Sequence, residues 1–423
     1  MSNQTNAQCS VSDLAQLNQV LRQLSLQVRD LFEQKKFREA QPIILQVLEI
    51  VPQHPIALMN LATVNLRLQH YAEAYRLFQQ AKSVMGDDIQ PFVYYGLTET
   101  CHFLNQQDDA RYYGQLTIEM KKKLVASCAS VAIPATAPPV FNPHQATENI
   151  ISYSLFGDQP RYCEVAILNV QLAKEIYPEW TCRFYVDESV PQHVIRRFIE
   201  QGAQVVRVQS SKLLGFFWRF LVIADPTVKR FLIRDADSLL GYRERAAVDE
   251  WLHSDAWFHV MRDFYPHCEL ILAGMWGGCT GVFSNIHAQM ITFIESHQQN
   301  IQRALDQDYL GQCIWPTISQ SLLSHDSQQY DVDAVEFPTP QQLTAHEQRP
   351  FHIGANEGAH IVDLQLHHQP SEKVTWVLRN EQHQEICRYD VKTCYAMNIQ
   401  LILPHDYATK IRNQVWYVES FPI

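Results

Sequence analysis

The chain has 423 residues, 46% of them hydrophobic, with 20 Phe, 18 Tyr and 8 Trp: enough for two or three domains with sizeable cores, and against global disorder. Its formal charge of −11 argues against nucleic acid or an anionic membrane surface as a partner, because both select basic patches. No stretch reaches the ~18 consecutive apolar residues of a membrane span, and residues 1–10 lack the basic and apolar regions of a signal peptide. The ten cysteines show no Cys-x-x-Cys pair, which predicts reduced thiols in a cytoplasmic protein rather than a disulfide framework or a zinc site.

After a stretch expected to be disordered (1–13), residues 14–127 read as uniformly helical with a period of 34. Phe37 and Ala40 recur as Tyr71 and Ala74, Pro52 as Gly86, and Ala62 as Gly96. Small residues at fixed helix positions let paired helices approach, and the aromatics fill the space between them. The third copy is looser, with two more residues from Gly96 to Ala110 than from Ala62 to Ala74. This pattern resembles the tetratricopeptide (TPR) repeat. Such an array either packs on its neighbour or self-associates as a homo-oligomer, or it recognises a protein acceptor. Residues 128–147, with Pro134, Pro138, Pro139 and Pro143, cannot continue a helix and read as a linker.

From 148 to 362 the pattern alternates. Asn149–Gly157 reads as a strand with its exit loop, Tyr162–Ile176 as a helix, Thr181–Val186 as a strand, Val190–Gln201 as a helix capped by Gly202, and Val205–Val208 as a strand. This order predicts a mostly parallel, Rossmann-like α/β sheet. A Gly-x-Gly-x-x-Gly dinucleotide fingerprint is absent. An aromatic segment, Phe216-Phe217-Trp218-Arg219-Phe220-Leu221, leads into a helix that ends before Pro226. The apolar run Phe231-Leu232-Ile233 then ends at Arg234-Asp235-Ala236-Asp237. Two carboxylates one residue apart can converge on a hard divalent cation, Mn²⁺ or Mg²⁺, or they can be solvated loop carboxylates. Trp251–Val260 reads as another strand ending at Arg262-Asp263, and Leu270–Phe283 as an apolar strand carrying Trp276-Gly277-Gly278.

The serial order of these segments resembles the GT-A glycosyltransferases, most closely the family 8 type of glycogenin and bacterial galactosyltransferases. In that family an aromatic-Arg-Leu element precedes the metal strand, as Trp218-Arg219-Phe220-Leu221 does here. The family's Asp-Gln-Asp-x-Leu segment is matched letter for letter by Asp306-Gln307-Asp308-Tyr309-Leu310. The resemblance implies metal ligation by Asp235, Asp237 and His352, and donor contacts from Arg219, Arg234, Arg262, Asp263, Trp276, Gly277 and Gly278. It places Asp306, Gln307 and Asp308 beside the anomeric carbon. The family's His-x-x-Gly-x-x-Lys-Pro-Trp segment departs here to His352-Ile353-Gly354, without the lysine that contacts the diphosphate.

Each of these residues also has a structural reading. Arg219 can form a salt bridge with Asp235 or Asp237, Trp276 can sit in the core, Arg262 and Asp263 can be a solvated pair, and Asp306 can cap a helix. His360, His367 and His368 read as a polar loop. Residues 363–423 turn strand-like and read as a small β-rich extension. The chain as a whole is expected to be a metal-dependent glycosyltransferase that moves a sugar from a UDP- or GDP-sugar to a protein or glycan acceptor, with retention of configuration. The alternative is an inactive glycosyltransferase-like domain on a TPR scaffold.

Overall fold

A computed structural model describes residues 11–209, 212–297, 304–369, 371–393 and 395–423. The chain forms two compact units, one of residues 1–123 with 328–332, the other of residues 124–327 with 333–423. No helix among the described residues is long and apolar enough to cross a membrane. The described cysteines are free thiols; Cys9 and Cys394 lie outside the described residues.

The first unit holds six helices, α1 (Val11–Glu33), α2 (Phe37–Ile50), α3 (Pro55–Arg67), α4 (Tyr71–Met85), α5 (Pro91–Phe103) and α6 (Gln107–Val125). The stretch expected to be disordered lies outside the described residues as far as residue 10, and Val11 already begins α1. Each helix pair turns through one residue at positive φ: Lys35 at 56°, Gln69 at 65° and Asn105 at 59°. The following N–H then donates five residues back, Lys36 to Leu31 and His70 to Asn65 at 2.8 Å, Gln106 to Cys101 at 2.9 Å. This is the Schellman closure of a helix end. From turn to turn the spacing is that of the sequence repeat, with the same lengthening in the third copy. Ala40, Ala62 and Ala74 are fully buried. A Cβ on Gly96 would lie 2.2 Å from the Phe78 ring, so the small positions are where neighbouring helices touch. The segment 328–332 completes this unit. The Tyr330 ring fills the space beside Gly114, where a Cβ would come within 2.1 Å, and Lys122 Nζ donates to Asp331 Oδ1 at 2.8 Å.

The second unit runs β1 (Asn149–Leu155), α7 (Pro160–Ile176), β2 (Thr181–Val186), α8 (Gln192–Glu200), β3 (Gln204–Arg207), a 3-10 segment (Gly215–Ala224), β4 (Arg230–Arg234), α9 (Tyr242–Leu252), β5 (Phe258–Arg262), β6 (Met275–Cys279), α10 (Ile286–Ser296), α11 (Leu305–Tyr309), α12 (Trp315–Ile318) and β7 (Leu322–Asp326). The seven strands form one sheet in the order β3-β2-β1-β4-β6-β5-β7. Within it β6 runs antiparallel to both neighbours and the other pairs are parallel. All five residues of β4 are buried, as expected for a strand covered on both faces.

The strand expected over Trp251–Val260 is two elements. Trp251, fully buried, closes the last turn of α9, and the Ser254 hydroxyl donates to the Trp251 carbonyl at 2.8 Å before β5 begins. The apolar run is continuous in sequence because helix end and strand start face the same core.

The C-terminal region adds β8 (His360–Gln365), β9 (Lys373–Arg379), β10 (Glu385–Lys392), β11 (Asn398–Leu403), α13 (His405–Arg412) and β12 (Tyr417–Pro422). These strands make two small antiparallel sheets, β10-β9-β12 and β11-β8. His360 starts a strand rather than lying in a polar loop. The region is anchored on Glu164 of α7, a fully buried carboxylate. It accepts Tyr389 Oη at 2.6 Å and Tyr407 Oη at 3.3 Å, and pairs with both terminal nitrogens of Arg197 at 2.7 and 3.0 Å.

Candidate active site

The chain lays down β1, adds β2 and β3 on one side, and returns to the other side of β1 with β4. Helices leaving the two neighbours therefore diverge, which opens a crevice at the carboxyl ends of β1 and β4, the usual ligand position in open α/β sheets. A cavity of ≈ 430 Å³ lies there, lined by Leu155 and Phe156 at the end of β1, Tyr162 on α7, Phe216 and Arg219 on the 3-10 segment, Asp235 and Asp237 after β4, and Asp306 on α11.

Arg219 is fixed before its side chain is considered. Its backbone N–H donates to Ser154 Oγ at 2.8 Å, and its carbonyl accepts from Ser152 Oγ at 2.7 Å, so alternate residues of β1 hold both backbone polar groups of this one residue. Phe217 and Phe220 beside it are fully buried and pack on Tyr309 of α11. In this apolar setting the guanidinium pairs with Asp235 and, at 2.9 Å, with Asp306. Burial acts against the Arg219 charge, but the two carboxylates outweigh it and hold its pKa above the ordinary value. Burial raises Asp306, against the opposing pull of Arg219. Burial, with the Asp235 charge adding to it, pushes Asp237 up to about 6. Asn356 Nδ2 donates to Asp237 Oδ2 at 2.8 Å, and the Glu357 N–H to the Asp237 carbonyl at 2.8 Å.

Asp235, Asp237, Asp306 and Arg219 thus share one cavity; the other predicted site residues do not line it. Trp276 is fully buried, its ring packed on Phe220 and Phe231. Gly277 and Gly278 are likewise core positions: a Cβ on Gly277 would lie 2.6 Å from the Phe231 carbonyl, and one on Gly278 2.3 Å from the Phe258 ring. The missing side chains make room for the sheet and its packing, which corrects the expectation that they make room for a sugar.

Arg234 is buried and donates to Glu244 at 3.2 Å and to the carbonyls of Ile233 and Trp276. Arg262 is 1% exposed and donates to the carbonyls of Glu269 and Leu270 at 2.7 and 2.6 Å, holding that loop from inside. Asp263 is taken up by Arg243 at 2.8 Å and the Ile353 N–H at 2.9 Å, so this pair is buried rather than solvated. Gln307 bonds the Ile271 carbonyl and the Ala273 N–H, and Asp308 is exposed outside the cavity lining. His352 stacks on Phe264 with ring centroids 3.8 Å apart, its Nδ1 3.1 Å from the Ile353 carbonyl.

Among the described residues no group of three His, Cys, Asp or Glu side chains is gathered to hold a metal ion. Two carboxylates of one turn, with like charges acting on each other, are nevertheless a fitting donor set for Mg²⁺ or Mn²⁺, which commonly bind through one or two carboxylates and complete their shell with substrate phosphates and water. Sequence reading did not find Gly274, where a Cβ would fall 2.0 Å from Asp235 Oδ2, nor Asn356, nor the aromatic lining of Phe156, Tyr162 and Phe216. The aromatic side chains before and after the turn at Gly157 were the available signal for the last group.

No protein-family profile matches the chain, and no curated protein matches it. Among solved structures, a mutant of the Thermobaculum terrenum O-GlcNAc transferase aligns at 12% identity over 51% of this chain, with a TM-score of 0.28. The alignment spans 46% of that protein, and a likeness at this level establishes neither a shared fold nor a shared activity.

Proposed function

We propose that the α/β unit is a glycosyltransferase domain of the GT-A kind, resembling family 8, that transfers a sugar from a UDP- or GDP-sugar. The observation that carries this reading is the convergence of Arg219, Asp235, Asp237 and Asp306 from three separate segments on a single cavity at the sheet's switch point. Phe156, Tyr162 and Phe216 would enclose the nucleoside, with their rings offering apolar faces to a base. Asp235 and Asp237 would hold Mn²⁺ or Mg²⁺ against the donor diphosphate. When bound, the cation supplies Lewis-acid charge at the leaving nucleotide, so no protein acid is required there.

Asp306 would face the sugar's anomeric centre. Arg219 holds its carboxylate in place, and a fixed negative charge there stabilises a developing oxocarbenium ion. Attack from the leaving-group face would retain configuration. The acceptor would be a protein or a glycan, with the helical repeats as its docking surface or as a self-association surface.

One observation favours the second reading, a site that has lost activity: His352 is stacked on Phe264 rather than gathered with the two aspartates. A thermal-shift panel of UDP, GDP, CMP and their common sugars, with and without Mn²⁺, separates the two. A metal-dependent shift with one nucleotide is expected, corresponding to about 2.7 kcal/mol at a hundred times its Kd. A flat panel would leave only the inactive scaffold. Asp237→Ala should remove the metal dependence while leaving the unliganded melting transition cooperative.

A further inference from the structure

The cavity sets one guanidinium, Arg219, against three carboxylates, and that guanidinium is already engaged by two of them. A nucleoside diphosphate ester brings two more negative charges. One divalent cation offsets part of this excess, and the lysine that the family resemblance would place after His352 is absent from the sequence. A second cation is required within reach of the diphosphate, because uncompensated like charges repel strongly in a partly desolvated site.

Resting on the nucleotide-sugar reading above, we infer that Arg161, in the first turn of α7, is this second cation and binds the donor diphosphate directly. Its guanidinium lies 4.9 Å from the centroid of Tyr162, which lines the cavity. Its Nε is buried without a hydrogen-bond partner, an expense native proteins rarely leave unexplained. Its charge acts on Asp237. The backbone around it is fixed to the same turn: a Cβ on Gly358 would lie 2.1 Å from the Arg161 carbonyl, and the two residues before Gly358 are Asn356 and Glu357, both bonded to Asp237. One short segment therefore sets the register between Asp237 and Arg161. A planar guanidinium suits bidentate binding of phosphate oxygens better than an ammonium does.

The test is isothermal titration of the full chain with UDP and GDP in the presence of Mn²⁺, for the wild type, Arg161→Gln and Arg161→Lys, with uridine and guanosine as competitors. The expected result is a loss of about tenfold or more in diphosphate affinity for Arg161→Gln, the size of a lost charged hydrogen bond, with partial recovery in Arg161→Lys and unchanged nucleoside affinity. A diphosphate Kd in Arg161→Gln within about twofold of wild type, a difference well under 1 kcal/mol, overturns the role of Arg161 and leaves the donor site standing. Equal loss of nucleoside and diphosphate binding in both variants also overturns it, by showing a scaffolding role. If neither diphosphate binds the wild type, the donor-site reading itself fails, and the role of Arg161 fails with it.

Discussion

Asp237 is under two opposing influences. Asn356 and the Glu357 N–H fix its position, while burial and the neighbouring Asp235 raise its pKa from the ordinary 3.8 to about 6. Between those two pH values the folded chain binds more protons at this site than the unfolded chain. Stability therefore falls as pH rises through that window, and the full cost is present above it. Asp237→Asn is expected to raise the melting midpoint at pH 7.5, by on the order of 1–2 kcal/mol in stability, and to change it little at pH 4. Scanning calorimetry at the two pH values checks this, and a destabilised variant at pH 7.5 would count against it. For the wild type, metal-dependent nucleotide affinity should weaken as pH drops from 7 to 5, because protonation removes the ligand charge; titration calorimetry across that range reads it directly. The residues of this cluster were legible in the sequence because each announces its chemistry by type and spacing: two aspartates after an apolar strand, an arginine among aromatics. Arg161, Gly274 and Asn356 were not, since only the folded chain brings them to those aspartates.

Elements explain the misreadings. A glycine pair in an apolar strand looks the same in sequence whether the absent side chain admits a ligand or a phenylalanine ring. In β6 it admits Phe258. Gly278→Ala should consequently cost about 1–3 kcal/mol through overpacking, measured by urea denaturation, with nucleotide affinity unchanged in the protein that remains folded. A selective loss of donor binding without loss of stability would return Gly278 to the site. Likewise, the alternation of the sheet could be read from periodicity, but the end of α9 could not, because Trp251 and Phe258 bury into one core from different elements.

Glu164 belongs to this scale as well. It sits on the buried face of α7, four partner bonds away from looking like a surface glutamate in sequence, and its partners come from α8, β10 and α13. Glu164→Ala leaves Arg197 uncompensated and two tyrosine hydroxyls without their acceptor, for an expected loss of about 3–5 kcal/mol. Double-mutant cycles with Tyr389→Phe should show strong coupling; additive effects would mean the carboxylate is not the anchor described.

At the scale of the whole molecule, the linear order of segments was a good guide to the α/β sheet and to the helical repeats, and a poor guide to where one unit stops. Residues 363–423, expected as a β-rich extension, and residues 128–147, expected as a linker, both group with the α/β unit. Residues 328–332, which carry no sequence signal that sets them apart from the α/β region around them, group with the helices. The reason is physical: membership of a unit is decided by long-range packing, such as Tyr330 against Gly114, and no local periodicity encodes it. A chain begun at residue 124 should accordingly expose Tyr330, which is 2% exposed in the intact protein, and should self-associate on size-exclusion chromatography. Tyr330→Ser in the shortened chain should reduce that association; a shortened chain that is monomeric without the substitution would refute the expectation.

The composition of the helical unit also has a consequence in time. A ribosome releases α1 to α6 early, but the piece that fills the space beside Gly114 and neutralises Lys122 emerges only after residues 124–327 have been made. At the usual pace of synthesis those roughly 200 residues take about 10–40 s. For that interval the nascent helical array carries an open apolar notch beside Gly114, so it is a candidate for chaperone capture before the chain is complete.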